Sequence, residues 1–241
     1  MSRAPESHRC LVIIPAYNEE QTIEKVVRSA QRFADVCVVD DGSKDATPQI
    51  LAQIPGVHVI RHAKNTHIPG AILDGMRYAH QAGYDFCITM DAGFSHDPEA
   101  IPQFLQCADA DLVIGYREKK VEVPFYRKLL SWVGTVLVNF ALSPRMAAWG
   151  GLRDLTSGYR MYSRKASSVL IGSKMMSRSF DFHLEAVTYV YRAGLRIREI
   201  PITYVFSNSS LRWKVVGHAF ETWLRLCLRR NTPGVTALIL L

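Results

Sequence analysis

Residues 10–43 read CLVIIPAYNEEQTIEKVVRSAQRFADVCVVDDGS. Cys10–Ile14 is a short apolar run that ends at Pro15, which predicts a buried strand. Asn18 precedes Glu19, Glu20 and Gln21, and Ile23, Val26, Val27 and Ala30 then recur at helical spacing. Asn18 is therefore expected to cap a helix whose acidic start suits the positive end of the helix dipole. Val36–Val39 is a second apolar strand, and it ends in Asp40-Asp41-Gly42-Ser43, which is turn chemistry. Strand, helix and strand follow one another, with a polar loop after each strand.

The same alternation continues outward. Thr47–Ala52 reads as a helix, Val57–Ile60 as a strand and Ala71–Ala82 as a helix stopped at Gly83. Phe86–Met90 is a strand ending at Asp91, Pro98–Cys107 a helix and Leu112–Ile114 a fifth strand. This order predicts the α/β class, with a mostly parallel, right-handed, doubly wound sheet. Ligands of such sheets bind beyond the carboxyl ends of the strands. Pro15–Glu19, Asp40–Ser43 and Asp91–Asp97 are thus expected to converge on one rim.

The second half is less regular. Leu129–Leu142 is apolar with Ser131, Trp132, Gly134 and Asn139 interspersed, and reads as a helix packed on an apolar surface. Asp154–Tyr162 is a polar loop leading into a short strand, and Asp181–Arg192 is helical. Ile197–Ile202 is a strand broken by Pro201. Lys214–Arg230 carries Val216, Ala219, Phe220, Trp223 and Cys227 on one stripe. The expected organisation is one domain over residues 1–211 and an amphipathic tail over 212–241.

The chain has 241 residues, 48% of them hydrophobic and 21% charged, which is a globular composition without visible repeats. Its formal net charge of +7 hides a split. Residues 1–111 hold 9 basic and 15 acidic side chains, and residues 112–241 hold 20 basic and 7 acidic ones. A uniformly basic nucleic-acid binder would not be divided in this way, so no nucleic-acid partner is expected. The basic half is expected to face phosphates, a phospholipid surface, or both. Five cysteines without a CxxC pair point to a reduced, cytoplasmic compartment. Met1–Arg9 lacks an apolar signal region, and no apolar run reaches the ~18 residues of a membrane-spanning helix.

No GxGxxG follows a strand and no GxxxxGK[ST] occurs, which disfavours dinucleotide enzymes and P-loop NTPases. The other way to hold a nucleoside diphosphate is with carboxylates and a divalent metal. Pro15-Ala16-Tyr17-Asn18-Glu19 followed by Asp40-Asp41-Gly42-Ser43 resembles the family 2 glycosyltransferases. Met90-Asp91-Ala92-Gly93-Phe94-Ser95-His96-Asp97-Pro98 resembles the metal loop of the polyprenyl-phosphate (dolichol-phosphate) mannosyltransferases within that family. Val113-Ile114-Gly115-Tyr116-Arg117, Arg127-Lys128-Leu129-Leu130-Ser131, Thr156-Ser157-Gly158-Tyr159-Arg160 and Glu199-Ile200-Pro201-Ile202-Thr203-Tyr204 follow in that family's order. The resemblance spans residues 10 to 211.

It implies a GT-A-type fold and inverting transfer of a hexose from a nucleotide sugar, GDP-mannose first and UDP-glucose next, to a polyprenyl phosphate. Pro15, Tyr17, Glu19 and Asp41 would bind the nucleoside. Asp91 would hold Mg2+ or Mn2+ on the diphosphate. Arg117 and Arg127 would face anionic phosphates, with Arg160, Ser131 and Arg212 on the acceptor side. The chemistry is coherent: a divalent cation and arginines stabilise charge developing on the leaving diphosphate. An acceptor phosphate is already ionised and needs positioning, not a general base. The protein would lie peripherally on the inner membrane face, with Trp132, Trp213 and Trp223 at headgroup depth.

Several residues carry a structural reading beside the functional one. Asp97 precedes Pro98 and is a better helix cap than Asp91. Asp40 would bond amides of its own turn, Tyr17 would pack in the core, and Arg160 would be a surface residue. His67, His80 and His183 show no metal-ligand spacing and read as structural or exposed. Three positions depart from the family pattern: Gly93 stands where a second metal carboxylate is usual, Thr66–Gly70 is poorer in glycine, and Ser210 occupies a lysine position. An acceptor with a hydroxyl instead of a phosphate would need a general base, for which Asp154 and Glu185 are the candidates. Gly93 also admits a nucleotide-binding subunit without catalysis.

Overall fold

The computed structural model describes residues 8–121 and 151–205, together with 132, 135–136, 139 and 221. Seven strands form one sheet: β1 (Cys10–Ala16), β2 (Asp35–Asp40), β3 (Val57–Arg61), β4 (Phe86–Thr89), β5 (Leu112–Val121), β6 (Arg160–Ser163) and β7 (Ile197–Val205). The helices are α1 (Ile23–Ala30), α2 (Thr47–Ala52), α3 (His67–Gln81), α4 (Ile101–Leu105, entered through a 3-10 turn at Pro98–Ala100), α5 (Arg164–Gly172) and α6 (Phe182–Arg192). Strand order is β3-β2-β1-β4-β6-β5-β7. Every pairing is parallel except those of β6, which runs antiparallel to both β4 and β5.

Burial on both faces explains the near-continuous apolar strands. On β1, Val12 and Ile14 face one layer with α1 and α2, whereas Leu11 and Ile13 face the other with α3, α5 and α6. This is the period-2 alternation of a strand sandwiched between helices. Close approach of α3 to β1 requires Gly75, because a Cβ there would lie 2.5 Å from Ile13 Cγ2.

Register sets the rim. Ala16 is paired with Asp40, and the Asp41 amide donates to the Ala16 carbonyl at 2.8 Å. Ile13 is paired with Thr89, and the Met90 amide donates to the Ile13 carbonyl. Residues 17–19, 41–43 and 91–97 therefore leave the sheet side by side, as expected. β6 adds what hydropathy did not reveal. Being antiparallel, it begins at the rim where β4 ends, with Arg160 opposite Thr89, and so delivers the 154–159 loop to Asp91.

Several boundaries differ from expectation. Asn18 does not cap α1, which starts at Ile23 after a turn closed by Thr22 and Ile23 amides on the Glu19 carbonyl. Asn18 instead takes a left-handed φ of 57° and ties two loops together, donating its amide to Ser43 Oγ and accepting the Lys44 amide on Oδ1. β7 continues through Pro201, because β7 is the last strand of the sheet and Pro201 needs no donor on its outer side. β5 runs on to Val121, and α5 was not anticipated. Cys10, Cys37, Cys87 and Cys107 are buried free thiols. Most of Leu129–Leu142, and all but one residue of 206–241, lie outside the described residues.

Candidate active site

On one side of the rim, Pro15 lies opposite Val39 one residue before the end of β1, and Tyr17 follows the strand with 43% of its surface exposed. Tyr17 is thus a free aromatic face and not part of the core. The Glu19 amide donates to Thr47 Oγ1, and Glu19 Oε2 accepts from Thr22 Oγ1 at 2.8 Å. Burial holds the Glu19 carboxyl above its ordinary range; the Thr22 hydrogen bond opposes this, and the nearby Asp91 charge reinforces it. Asp41 is buried, and its Oδ1 collects three groups: the Thr66 amide at 2.7 Å, Thr66 Oγ1 at 2.8 Å and His62 Nδ1 at 2.7 Å. His62 Nε2 faces Asp74 Oδ2 at 3.0 Å, so the altered Thr66–Gly70 stretch is anchored to the rim through Asp41. Asp40 is fully buried and accepts the Ser43 amide at 2.9 Å, which is the turn role.

The other side of the rim centres on Asp91, whose side chain is 47% exposed. Its amide donates to His96 Nδ1 at 3.2 Å, which leaves the proton of that ring on Nε2, 3.6 Å from Asp91 Oδ2. Burial keeps His96 neutral by lowering its pKa, against the pull of Asp91. The imidazole stacks on Tyr159, whose hydroxyl donates to the Asp97 carbonyl and closes the 91–97 loop. Asp97 accepts the Glu99 amide and caps the helix, as its place before Pro98 predicts.

Arg117 stands at the rim on β5 in a bidentate pair with Asp154: Nε to Oδ2 at 2.6 Å and Nη2 to Oδ1 at 2.8 Å. It also donates to Thr156 Oγ1 and lies 5.2 Å from the Tyr204 ring centroid. Arg160 corrects an expectation. It is fully buried, and its guanidinium donates to the carbonyls of Ser157 (2.7 Å), His183 (2.7 Å) and Leu155 (2.6 Å). It is a strut that shapes the 154–159 loop, neither a surface residue nor an acceptor-phosphate ligand. Glu185 is buried too, and its carboxylate accepts the Met176 and Ser177 amides. It pairs with backbone and not with a basic side chain. Arg127, Ser131 and Arg212 lie outside the described residues.

Tyr17, Glu19, Asp41, Asp91 and Arg117 thus share one rim, while Arg160 lies behind it. Behind Asp91 sits a residue that spacing had not marked. His183, on α6, is 3% exposed, and its Nδ1 has no hydrogen-bond partner among the described residues. Burial pushes its pKa well down, and Arg160 adds to this, so the ring is neutral. A Cβ placed on Gly158 would meet His183 Nε2 at 3.1 Å and Asp91 Oδ1 at 3.5 Å, so only the missing side chain keeps the gap between them open. Among the described residues, no three His, Cys, Asp or Glu side chains gather as a preformed metal cage. The donor set offered to a hard divalent ion is therefore sparse and begins with Asp91.

The model of glycosyl transferase family 2 matches residues 11–170. Undecaprenyl-phosphate mannosyltransferase from Micrococcus luteus is 34% identical over 95% of this chain and 98% of its own length. Polyprenol monophosphomannose synthase from Mycolicibacterium smegmatis is 31% identical over 82% of this chain and 78% of its own. The UDP-N-acetylglucosamine–dolichyl-phosphate N-acetylglucosaminyltransferase of Methanococcus voltae is 30% identical over 90% and 94%. Among solved structures, glucosyl-3-phosphoglycerate synthase from Mycobacterium tuberculosis with Mn2+, UDP and glucosyl-3-phosphoglycerate superposes with a TM-score of 0.69 at 16% identity, over 92% of this chain and 80% of that one. At that identity the likeness shows the fold, which is of the GT-A type. With the family model spanning all three rim loops and β6, this chain belongs to glycosyl transferase family 2.

Proposed function

We propose that this glycosyltransferase moves a hexose, with inversion, from a nucleotide sugar to the phosphate of a polyprenyl lipid. The observation that carries the reading is the state of the two carboxylates that a hydroxyl acceptor would recruit as general base. Asp154 is locked in a bidentate pair with Arg117, and Glu185 is spent on two backbone amides. Neither is poised to take a proton. A phosphate acceptor has no proton to lose and fits such a site. The three relatives agree: the sugars in their names differ, but each name carries a polyprenyl or dolichyl phosphate or phosphomannose. Two of the three name mannose, which supports GDP-mannose as donor ahead of UDP-glucose.

In this mechanism Tyr17 offers its exposed face to the base, while Glu19 and Asp41 address the nucleoside. Asp91 would hold Mg2+ or Mn2+, which supplies Lewis-acid stabilisation of the departing diphosphate when bound. His96 orients the Asp91 carboxylate. Arg117, fixed in direction by Asp154 and Thr156, presents positive charge to the phosphates at the rim. Arg127, Ser131 and Arg212 are proposed for the acceptor. No helix of the described residues is long and apolar enough to cross a membrane. The lipid would then be met at the surface, and helical residues 132, 135, 136 and 139 support this. Their apolar Trp132 and Val136 are exposed (63% and 44%), whereas Thr135 and Asn139 are buried.

Incubation with labelled GDP-mannose or UDP-glucose, polyprenyl phosphate in detergent and Mg2+ or Mn2+ tests the reading. Label is expected in the organic phase. Transfer to water-soluble acceptors alone would overturn it.

A further inference from the structure

We propose that His183 Nε2 is a second protein ligand of the divalent cation held by Asp91, taking the place of the carboxylate absent at Gly93. The assignment rests on the transferase reading above and adds to it the ligand that reading lacks.

Three observations converge. Gly93 removes the usual second oxygen donor, so Asp91 alone would leave the ion to water and diphosphate. His183 is almost fully buried, and among the described residues no hydrogen bond engages the Nε2 that borders Asp91. A neutral imidazole nitrogen that no protein group engages is available as a metal ligand. Its Nε2 borders the same gap as Asp91 Oδ1, and that gap exists because residue 158 is glycine. His96 does not compete for the role. Its Nδ1 accepts the Asp91 amide, and its Nε2 faces Asp91 Oδ2 from a ring stacked on Tyr159.

An imidazole ligand alters the metal preference. Mg2+ favours an all-oxygen shell, whereas affinity for nitrogen donors rises from Mn2+ towards Co2+. Mn2+ and Co2+ are therefore expected to bind more tightly than Mg2+, and His183→Gln is expected to narrow that difference.

The test uses the full chain with Mn2+, in the presence of GDP and separately of UDP. Pulsed electron paramagnetic resonance should show imidazole-nitrogen coupling to bound Mn2+ that is lost in His183→Gln and kept in His96→Gln. His183→Gln should also weaken Mn2+ binding by at least about tenfold, the lower end of what loss of an outer-shell partner costs. Should that variant not fold, wild type labelled with 15N-histidine reports whether any histidine ligates. Gly158→Ala, which sets a Cβ against Nε2, should then abolish the coupling. Mn2+ bound with nucleotide but without nitrogen coupling, or coupling that survives His183→Gln, overturns the ligand assignment alone. Failure of Mn2+ to bind with either nucleotide overturns the transferase reading along with it.

Discussion

At the residue scale, legibility followed the distance to the partner. Asp97 and Asp40 act on amides two and three residues away, and their types and positions announce it. Arg160 and Glu185 satisfy backbone groups that the fold brings in from elsewhere, the His183 carbonyl for one and the Met176 amide for the other, and composition carries no trace of this. Reading Arg160 as a strut has a consequence. Arg160→Met would take a charged donor from three buried carbonyls, at about 1–3 kcal/mol each. Unfolding in urea should show a loss of at least about 3 kcal/mol, and folded protein should keep its KM for lipid phosphate. A raised KM with unchanged stability would return Arg160 to the acceptor site. Asp91 is the opposite case. It is exposed, and its carboxylate holds up no backbone that the fold depends on. Asp91→Ala should therefore abolish transfer while the urea midpoint stays within about 0.5 kcal/mol of wild type. Full activity in that variant would remove the metal role.

At the scale of elements, the first five strands were legible because each is a short apolar run closed by turn residues. Their parallel direction followed from the helix-length crossovers between them. The orientation of β6 was not legible, since an antiparallel strand inserted between parallel neighbours has the same hydropathy as they do. α5 was missed because its stripe is weak: Arg164, Lys165 and Ser168 are exposed, and only Ala166, Ser167 and Leu170 are buried. One glycine tests how tightly the layers are set. Gly75→Ala would place a Cβ 2.5 Å from the buried Ile13 side chain, at the contact between α3 and the central strand. Overpacking of this kind costs about 1–3 kcal/mol, more than the gain in helix propensity of about 1 kcal/mol returns. Denaturant titration should show net destabilisation, and Gly75→Ala should cost less in an Ile13→Ala background, which lacks Cγ2. A more stable Gly75→Ala would mean that α3 sits further from the sheet than described.

At the scale of the whole molecule, the acidic first half and basic second half now have separate tasks. Glu19, Asp41 and Asp91 belong to the half with net charge −6, and they are proposed to address a nucleoside and a cation at the rim. The half with net charge +13 is proposed to meet the acceptor phosphate and the lipid surface. Helical residues 132, 135, 136 and 139 invert the usual arrangement of a surface helix: Asn139 is turned inward to hold the Leu152 amide and carbonyl, while Trp132 and Val136 point out. Two terms should then hold the protein on a membrane. The electrostatic one, about 1 kcal/mol per basic side chain near the surface, is screened by salt. The apolar one persists, and removing it by Val136→Asp should weaken binding roughly tenfold, a loss of about 1.4 kcal/mol. Co-sedimentation with anionic vesicles at low and high salt separates the two. Wild type should pellet strongly at low salt and retain a residual bound fraction at high salt, and Val136→Asp should lose that fraction. Transfer to polyprenyl phosphate in detergent should be unaffected by the substitution, because detergent presents the acceptor without a surface to dock on. A protein that stays in the supernatant under both conditions would place the encounter with lipid elsewhere than on this face.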